Sequence, residues 1–296
     1  MDSIRLKARA KINLGLDVLG KRDNGYHDVR MVMQTVGIYD RLIINKIPED
    51  DIRIDINLKF LPVNENNLIY KAYKLMKDEY GFSGGIEVDL NKFIPIAAGM
   101  AGGSSNAAAV LVGLNKLWKL NLSEVRLQEI GLKLGADVPF CISGNAALAQ
   151  GIGEELTYIK GLSKDTVILV CKPNLFVSTK EVYEGLDLQN IKNRPDNKFL
   201  IECLKKGNIN LLATNMVNVL ETVTSKMHEE IKDIEKVMLE NNALGSMMSG
   251  SGPTVFGLFD KEEGALSAKG ELLKKYNQVY VVRSSEKGVE VNGEFN

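Results

Sequence analysis

The densest chemistry in this chain lies between Pro95 and Ser105. The run reads Pro95, Ile96, Ala97, Ala98, Gly99, Met100, Ala101, Gly102, Gly103, Ser104, Ser105, and an Ala- and Leu-rich stretch follows it. Glycine removes side chains where backbone has to approach a ligand closely. The first turn of a following helix offers unpaired N–H groups and the positive end of the helix dipole. Together these make an anion cradle suited to a di- or triphosphate, with serine hydroxyls to bond phosphate or Mg²⁺. Taken alone, the same run serves equally well as a flexible, serine-capped linker. Two other phosphate motifs are excluded. The nearest match to a Walker A loop, Gly15 to Lys21, is followed by Arg22 instead of Ser or Thr and sits in an alternating segment. The spacing G-x-G-x-x-G of a dinucleotide loop is absent from the run.

Other candidates lie outside that loop. From Ile4 to Leu14 apolar and polar residues alternate, the period of a half-buried strand. Ile4, Leu6, Ala8, Ala10, Ile12 and Leu14 point one way, and Lys11 and Asn13 share the face away from the core. Alternation does not separate a functional Lys11 from a solvated strand lysine such as Lys7. Asp23-Asn24-Gly25 supplies a hairpin turn, which puts Tyr26 and His27 at the hairpin end, where such a pair is usually a surface feature. Asp137 follows a helix stop at Gly135; position alone makes it a cap for the next turn. His228 and the single Trp118 attract no role.

These residues need elements to hold them. The strand through Val18 is followed by strand-like segments at 29–36, 40–46 and 52–58. Asn67 to Tyr80 has helical spacing, and 84–90 reads as a strand leading into the glycine run. A helix is expected from Asn106 to Leu120, another from Ser123 to Leu134, and a short strand over 146–149. The second half reads as a strand at 166–171, helices at 197–206, 209–223 and 226–241, strands at 244–249 and 254–259, a helix at 262–275 and a strand at 278–283. A boundary falls near residue 160, giving domains 1–160 and 161–296.

Bulk properties narrow the class. With 296 residues, 45% hydrophobic content and a formal charge of −1, the chain has ample material for a core and no basic excess for nucleic acid or an anionic membrane. Cys141, Cys171 and Cys203 are far apart and form no C-x-x-C pair, which argues against a disulfide framework or zinc cluster. There is no signal-peptide pattern and no run long enough to span a membrane, so a cytoplasmic protein is expected.

Three segments occur in order: Lys11-Ile12-Asn13, PIAAGMAGGSSNAAA and SGSGPTVFGLF. The set resembles the galactokinase–homoserine kinase–mevalonate kinase–phosphomevalonate kinase (GHMP kinase) superfamily, and the likeness spans essentially the whole chain. The words AKINLGLDVLGKRDNGYH (10–27), GGSSNAAAVLVGLNKLW (102–118) and LGADVPF (134–140) are similar to the branch that phosphorylates a cytidine diphosphate-linked methylerythritol in the non-mevalonate isoprenoid pathway.

The resemblance implies an α+β, two-domain GHMP-kinase fold. Its N-terminal domain would be ribosomal-protein-S5-domain-2-like and its C-terminal domain ferredoxin-like, with ATP and acceptor in the cleft between them. It implies an ATP- and Mg²⁺-dependent small-molecule kinase acting as a monomer or weak homodimer, with ADP and a 2-phosphate as products. Residue by residue, Asp137 matches the family's catalytic aspartate and Lys11 its catalytic lysine. The run from Pro95 to Ser105 matches the nucleotide loop. Asn13, Tyr26, His27, Thr179 and Tyr183 match substrate contacts, Tyr26 and Tyr183 as opposing faces for the cytosine ring. Gly250, Ser251 and Gly252 match a second glycine loop near the cleft. One departure stands out: Ala97-Ala98 and Met100-Ala101 replace glycines or a leucine used by many relatives. The Mg²⁺-binding glutamate of some members has no position assigned in this sequence.

Overall fold

In a computed structural model, which describes residues 2–291, the chain builds two sheets flanked by helices. The first half holds β1 (Ser3–Lys21), β2 (His27–Ile47), β3 (Ile52–Ile56), α1 (Leu68–Tyr80), β4 (Gly85–Asn91), α2 (Gly102–Leu117), α3 (Glu124–Leu132), α4 (Val138–Ser143), β5 (Ala146–Gln150) and β6 (Glu155–Ile159). The second holds β7 (Val167–Lys172), α5 (Thr179–Glu184), α6 (Asn197–Lys206), α7 (Ile209–Thr214), α8 (Glu221–Met227), α9 (Glu230–Glu240), β8 (Gly245–Met248), β9 (Val255–Phe259), α10 (Glu262–Leu272), β10 (Gln278–Arg283) and β11 (Val289–Val291).

The first sheet runs β11-β1-β2-β4-β3, with β5 added to β2 and β6 to β5. Its parallel pair is β3 and β4, joined by α1 as a crossover. The second sheet is antiparallel in the order β10-β7-β9-β8, the ferredoxin-like arrangement. Residues 160–166 carry the chain from one sheet to the other, and β11 returns it to β1.

Local sequence explains most of these elements. Asn67 caps α1 by accepting from the Ile69 N–H, and Gly81 ends it in the left-handed region. Ser123 caps α3 through the Arg126 N–H. Ile4, Leu6 and Ala8 pack with Ala107, Val110 and Leu111 in one core under α1 and α2. Farther along the strand, Ala10, Ile12 and Leu14 join Ile168, Val170, Phe256 and Leu258 in a core shared by both sheets.

Several expectations need correction. Lys11 and Asn13 do share a side, but both are buried: Lys11 meets the glycine loop at Met100 and Asn13 lies against Met31, while α6 packs on β1 nearby. A Cβ on Gly15 would meet Leu200 Cδ1 at 2.6 Å. The helix expected from Asn106 starts at Gly102, since Ala101 takes a left-handed conformation at its N-cap. The stretch 209–223 is two helices, not one. Between them Leu16 and residues 217–219 exchange backbone hydrogen bonds, from the Leu16 N–H to the Val217 carbonyl and from the Val219 N–H to the Leu16 carbonyl. The helix expected from 226 begins at Glu230, because His228 is extended. Segments 29–36 and 40–46 form one long strand, β2.

Candidate active site

The glycine run folds as a compact loop between β4 and α2. Ala97, Gly99 and Ala101 all have positive φ (49°, 70° and 58°), which for alanine costs about 1–2 kcal/mol each. Alternating left-handed residues turn successive N–H groups toward a common concavity, the geometry of an anion nest. A second glycine loop braces it. The Ser249 hydroxyl donates to the Gly99 carbonyl at 3.0 Å. A Cβ on Gly99 would lie 2.1 Å from the Ser249 carbonyl oxygen, and one on Gly250 would lie 3.0 Å from the Gly99 carbonyl oxygen. The two loops therefore touch backbone to backbone, and only glycine permits it.

Both loops line one cavity of about 710 Å³, a size that suits a nucleotide with a small acceptor. Its walls include Lys11, Asp137, Thr179 and Tyr183 together with 95–99 and 101–104. Lys11 reaches it from β1. A register shift between Arg9 and Lys11 interrupts the β1–β2 ladder, and the Lys11 N–H donates instead to the Met100 carbonyl at 3.2 Å. Lys11 Nζ donates to Asn13 Oδ1 at 2.7 Å and stands 4.0 Å from Asp137 Oδ2. Asp137 occupies the N-cap of α4, yet its side chain accepts no capping bond. Its carboxylate is left for the cavity.

Not every candidate reaches the cavity wall. Met100 is buried. Ser105 turns its hydroxyl inward, toward the Arg9 carbonyl at 2.7 Å and the Ala101 carbonyl at 3.0 Å, so Ser104 is the serine facing the cavity. Asn13 lies behind Lys11, its amide against the Met31 sulfur. His27 packs on Tyr183 with ring centroids 4.9 Å apart, but neither His27 nor Tyr26, which is 58% exposed, is among the residues that line the cavity. Thr179 Oγ1 and Ser251 Oγ are 2.9 Å apart, tying α5 to the second glycine loop.

Two family descriptions match: "GHMP kinases N terminal domain" over residues 67–145 and "GHMP kinases C terminal" over 200–278. A 4-diphosphocytidyl-2-C-methyl-D-erythritol kinase of Clostridioides difficile (strain 630) is 65% identical over the full length of both chains. The chain belongs to the GHMP kinase family. A kinase of the same name from Lachnospira eligens is 55% identical over 96% of this chain and 99% of its own. The crystal structure of a 4-(cytidine 5'-diphospho)-2C-methyl-D-erythritol kinase superimposes with a TM-score of 0.81 at 30% identity, covering 95% of this chain and 99% of the other. A homoserine kinase from Cytophaga hutchinsonii shares the fold, with a TM-score of 0.79 at 21% identity and 98% of each chain covered. This GHMP kinase is accordingly a small-molecule kinase that uses ATP.

Electrostatics in the GHMP kinase cavity follow from burial. Burial and then the Asp137 charge push the Tyr183 hydroxyl up to about 12, so it stays protonated. The same two causes push the Cys141 thiol up to about 12, leaving it inert. Burial, then Lys21, lowers His27 below its usual range, which keeps one ring nitrogen as donor and the other as acceptor near neutral pH.

Sequence reasoning missed a buried support beneath the glycine loop. Asp40, fully buried, accepts from the Phe93 and Ile94 N–H groups at 2.7 and 2.8 Å and from Asn106 Nδ2 at 2.8 Å, and pairs with Lys92 Nζ. Lys92 in turn donates to Asn106 Oδ1 at 3.0 Å. Lys92 and Asn106 both line the cavity. Their one signal in the sequence is adjacency: Lys92 lies just before Pro95 and Asn106 just after Ser105.

Proposed function

We propose that this kinase transfers the γ-phosphoryl group of ATP to the 2-hydroxyl of 4-diphosphocytidyl-2-C-methyl-D-erythritol, giving ADP and the 2-phosphate. The observation that carries this is the pairing of Lys11 and Asp137, 4.0 Å apart, in one cavity with the glycine loop and Tyr183. The acceptor oxygen forms a bond to γ-phosphorus as the bond to the ADP oxygen breaks. Asp137 orients the acceptor hydroxyl and takes its proton. Lys11 offers positive charge to the phosphoryl oxygens as they pass between donor and acceptor. The nest at 97–101 and the start of α2 hold the phosphates, and Ile56, Leu61 and Leu90 offer the adenine an apolar wall.

His27 and Tyr183 supply an edge and a face for the cytosine ring, with Tyr26 at the rim, Thr179 beside them and Asn13 setting the Lys11 ammonium. The relatives' shared name supports this acceptor. Among the described residues no group of three or more His, Cys, Asp or Glu could cage a metal; this fits Mg²⁺, which binds largely through substrate phosphates. Ser104, on the cavity wall at the start of α2, would help hold it, where it would neutralise phosphate charge. A division into domains near residue 160, a monomer or weak homodimer, and a cytoplasmic site complete the reading. The buried, free thiols support a reducing compartment.

The test is purified protein with ATP, Mg²⁺ and the cytidine acceptor, followed by ³¹P NMR. A new phosphomonoester resonance appearing together with ADP is expected, with none from homoserine or mevalonate. A folded protein that yields no such resonance sinks the acceptor assignment.

A further inference from the structure

The segment between α7 and α9 does more than connect helices. Asn218, Glu221 and Thr224 are spaced three apart, and all three reach the second glycine loop. Asn218 Nδ2 donates to the carbonyls of Met248 and Gly250, both at 2.8 Å, while its Oδ1 accepts from the Leu220 N–H at 3.0 Å. Glu221 Oε2 accepts from the Met248 N–H at 2.8 Å. Thr224 Oγ1 donates to the Ser251 carbonyl at 3.2 Å. Asn218 and Thr224 are buried, so these bonds form away from competing water and lose most when broken. The same segment is bonded to β1 at Leu16, the strand that carries Lys11.

We propose that Asn218, Glu221 and Thr224 are positioning residues that clamp the 248–252 loop against Gly99 and thereby set the affinity of the phosphate cradle for nucleotide. The loop closes on itself through the Ser249 N–H to the Thr254 carbonyl at 2.8 Å and the Gly252 N–H to the Ser249 carbonyl at 2.9 Å, and Ser251 meets Thr179 at 2.9 Å, but these bonds do not press it against Gly99. Gly250 and Gly252 have positive φ and carry no side chain to anchor them. Its contact with the cradle runs through Ser249 Oγ to the Gly99 carbonyl and through the Gly99–Gly250 backbone approach. A shift of the loop therefore moves the nest first. The aromatic pair of His27 and Tyr183 is held by ring packing and is linked to the loop through a side-chain contact, Thr179 to Ser251, so acceptor binding should change less. The inference rests on the reading of this cavity as the ATP site.

The experiment compares Asn218→Asp, Thr224→Val and Thr224→Ser with the unsubstituted protein. The first places a carboxylate against two carbonyls at constant size. The second removes the hydroxyl at constant shape, and the third retains it. Isothermal titration gives Kd for ATP and, separately, for cytidine diphosphate; steady-state kinetics give both KM values. Asn218→Asp and Thr224→Val should weaken ATP about tenfold, the scale of one or two buried hydrogen bonds, while cytidine diphosphate changes by less than about threefold. Thr224→Ser should restore ATP affinity. Unchanged ATP affinity in both variants overturns the clamp, as does an equal loss for both ligands. If Asn218→Asp fails to fold, the Thr224→Val and Thr224→Ser pair decides. Because Kd for ATP is read without turnover, a protein that binds ATP but transfers nothing refutes the acceptor reading and leaves the clamp measurable.

Discussion

Lys11 Nζ is hydrogen-bonded to Asn13 at 2.7 Å and stops 4.0 Å short of the Asp137 carboxylate. The ammonium is thus aimed by a neutral neighbour instead of being consumed by the acid, and both charged residues line the same cavity. Lys11→Met and Asp137→Asn should each lower kcat by about 10²–10⁴-fold, the usual range for a proton-transfer group or a charge-stabilising donor. ADP release in a coupled assay measures it, and circular dichroism checks the fold. Near-normal kcat in both variants removes the mechanism.

Gly99 and Gly103 separate folding from binding within one loop. Alanine at Gly99 would need a positive φ and would drive its Cβ to 2.1 Å from the Ser249 carbonyl oxygen, so Gly99→Ala should lower Tm sharply and abolish nucleotide binding together. At Gly103 the nearest atom is Leu68 Cδ1 at 3.5 Å, an ordinary contact, and the residue lies inside α2. Gly103→Ala should hold or raise stability by about 0.5–1 kcal/mol while its methyl group intrudes on the phosphate site and raises KM for ATP. Thermal unfolding alongside ATP titration reads both; a fall in Tm with normal ATP binding at Gly103 contradicts the placement.

His27 and Tyr183 pack ring against ring, with Tyr183 on the cavity wall at the proposed acceptor end. Tyr183→Leu keeps an apolar filler but removes the ring face and should raise KM for the acceptor about tenfold with KM for ATP unaltered, since aromatic pairing contributes about 0.5–1.5 kcal/mol beyond area. His27→Ala should act in the same direction. Parallel kinetics with each substrate varied provide the check, and an effect confined to ATP would reverse the assignment of the two ends of the cavity.

Glu235 gives a pH signature remote from catalysis. Burial and then the neighbouring Glu221 carboxylate raise it from the ordinary 4.5 to about 8, although Lys232 donates to it at 2.9 Å. The folded protein retains a proton that the unfolded chain releases. Its contribution to stability is complete below about pH 4.5, declines as pH rises through about 8, and is flat above. Glu235→Gln should flatten that decline. Tm profiles between about pH 5 and pH 9 test it; identical slopes for both proteins would show that Glu235 is charged when folded.

Periodic and capped elements are legible in the sequence. Alternation from Ile4 to Leu14 marks β1 because side-chain period is local, and Asn67 and Ser123 mark helix starts because capping is local too. The burial of Lys11 and Asn13 is not legible, since what covers them comes from distant parts of the chain. The split of 209–223 is hidden for the same reason: it is made by Leu16, some two hundred residues upstream. Short α4 and α5 carry too few turns to show a period. Asp40 and Lys92 read as ordinary strand-end charges, and only the fold makes them one buried unit. Family resemblance is the sole guide to Asp137, whose position looks like a cap and whose side chain proves not to be one.

The return of β11 to β1 has a topological consequence. The Arg9 N–H donates to the Gly288 carbonyl at 2.9 Å, and the Ser285 N–H donates to the Thr35 carbonyl at 2.9 Å. The second sheet and its helices are therefore an insertion held at both ends by the first, and not a bead on a string. Cutting the chain once within 160–166 would leave the halves joined through the far end. During synthesis, that edge of the first sheet stays open until β11 has emerged, after every strand of the second sheet.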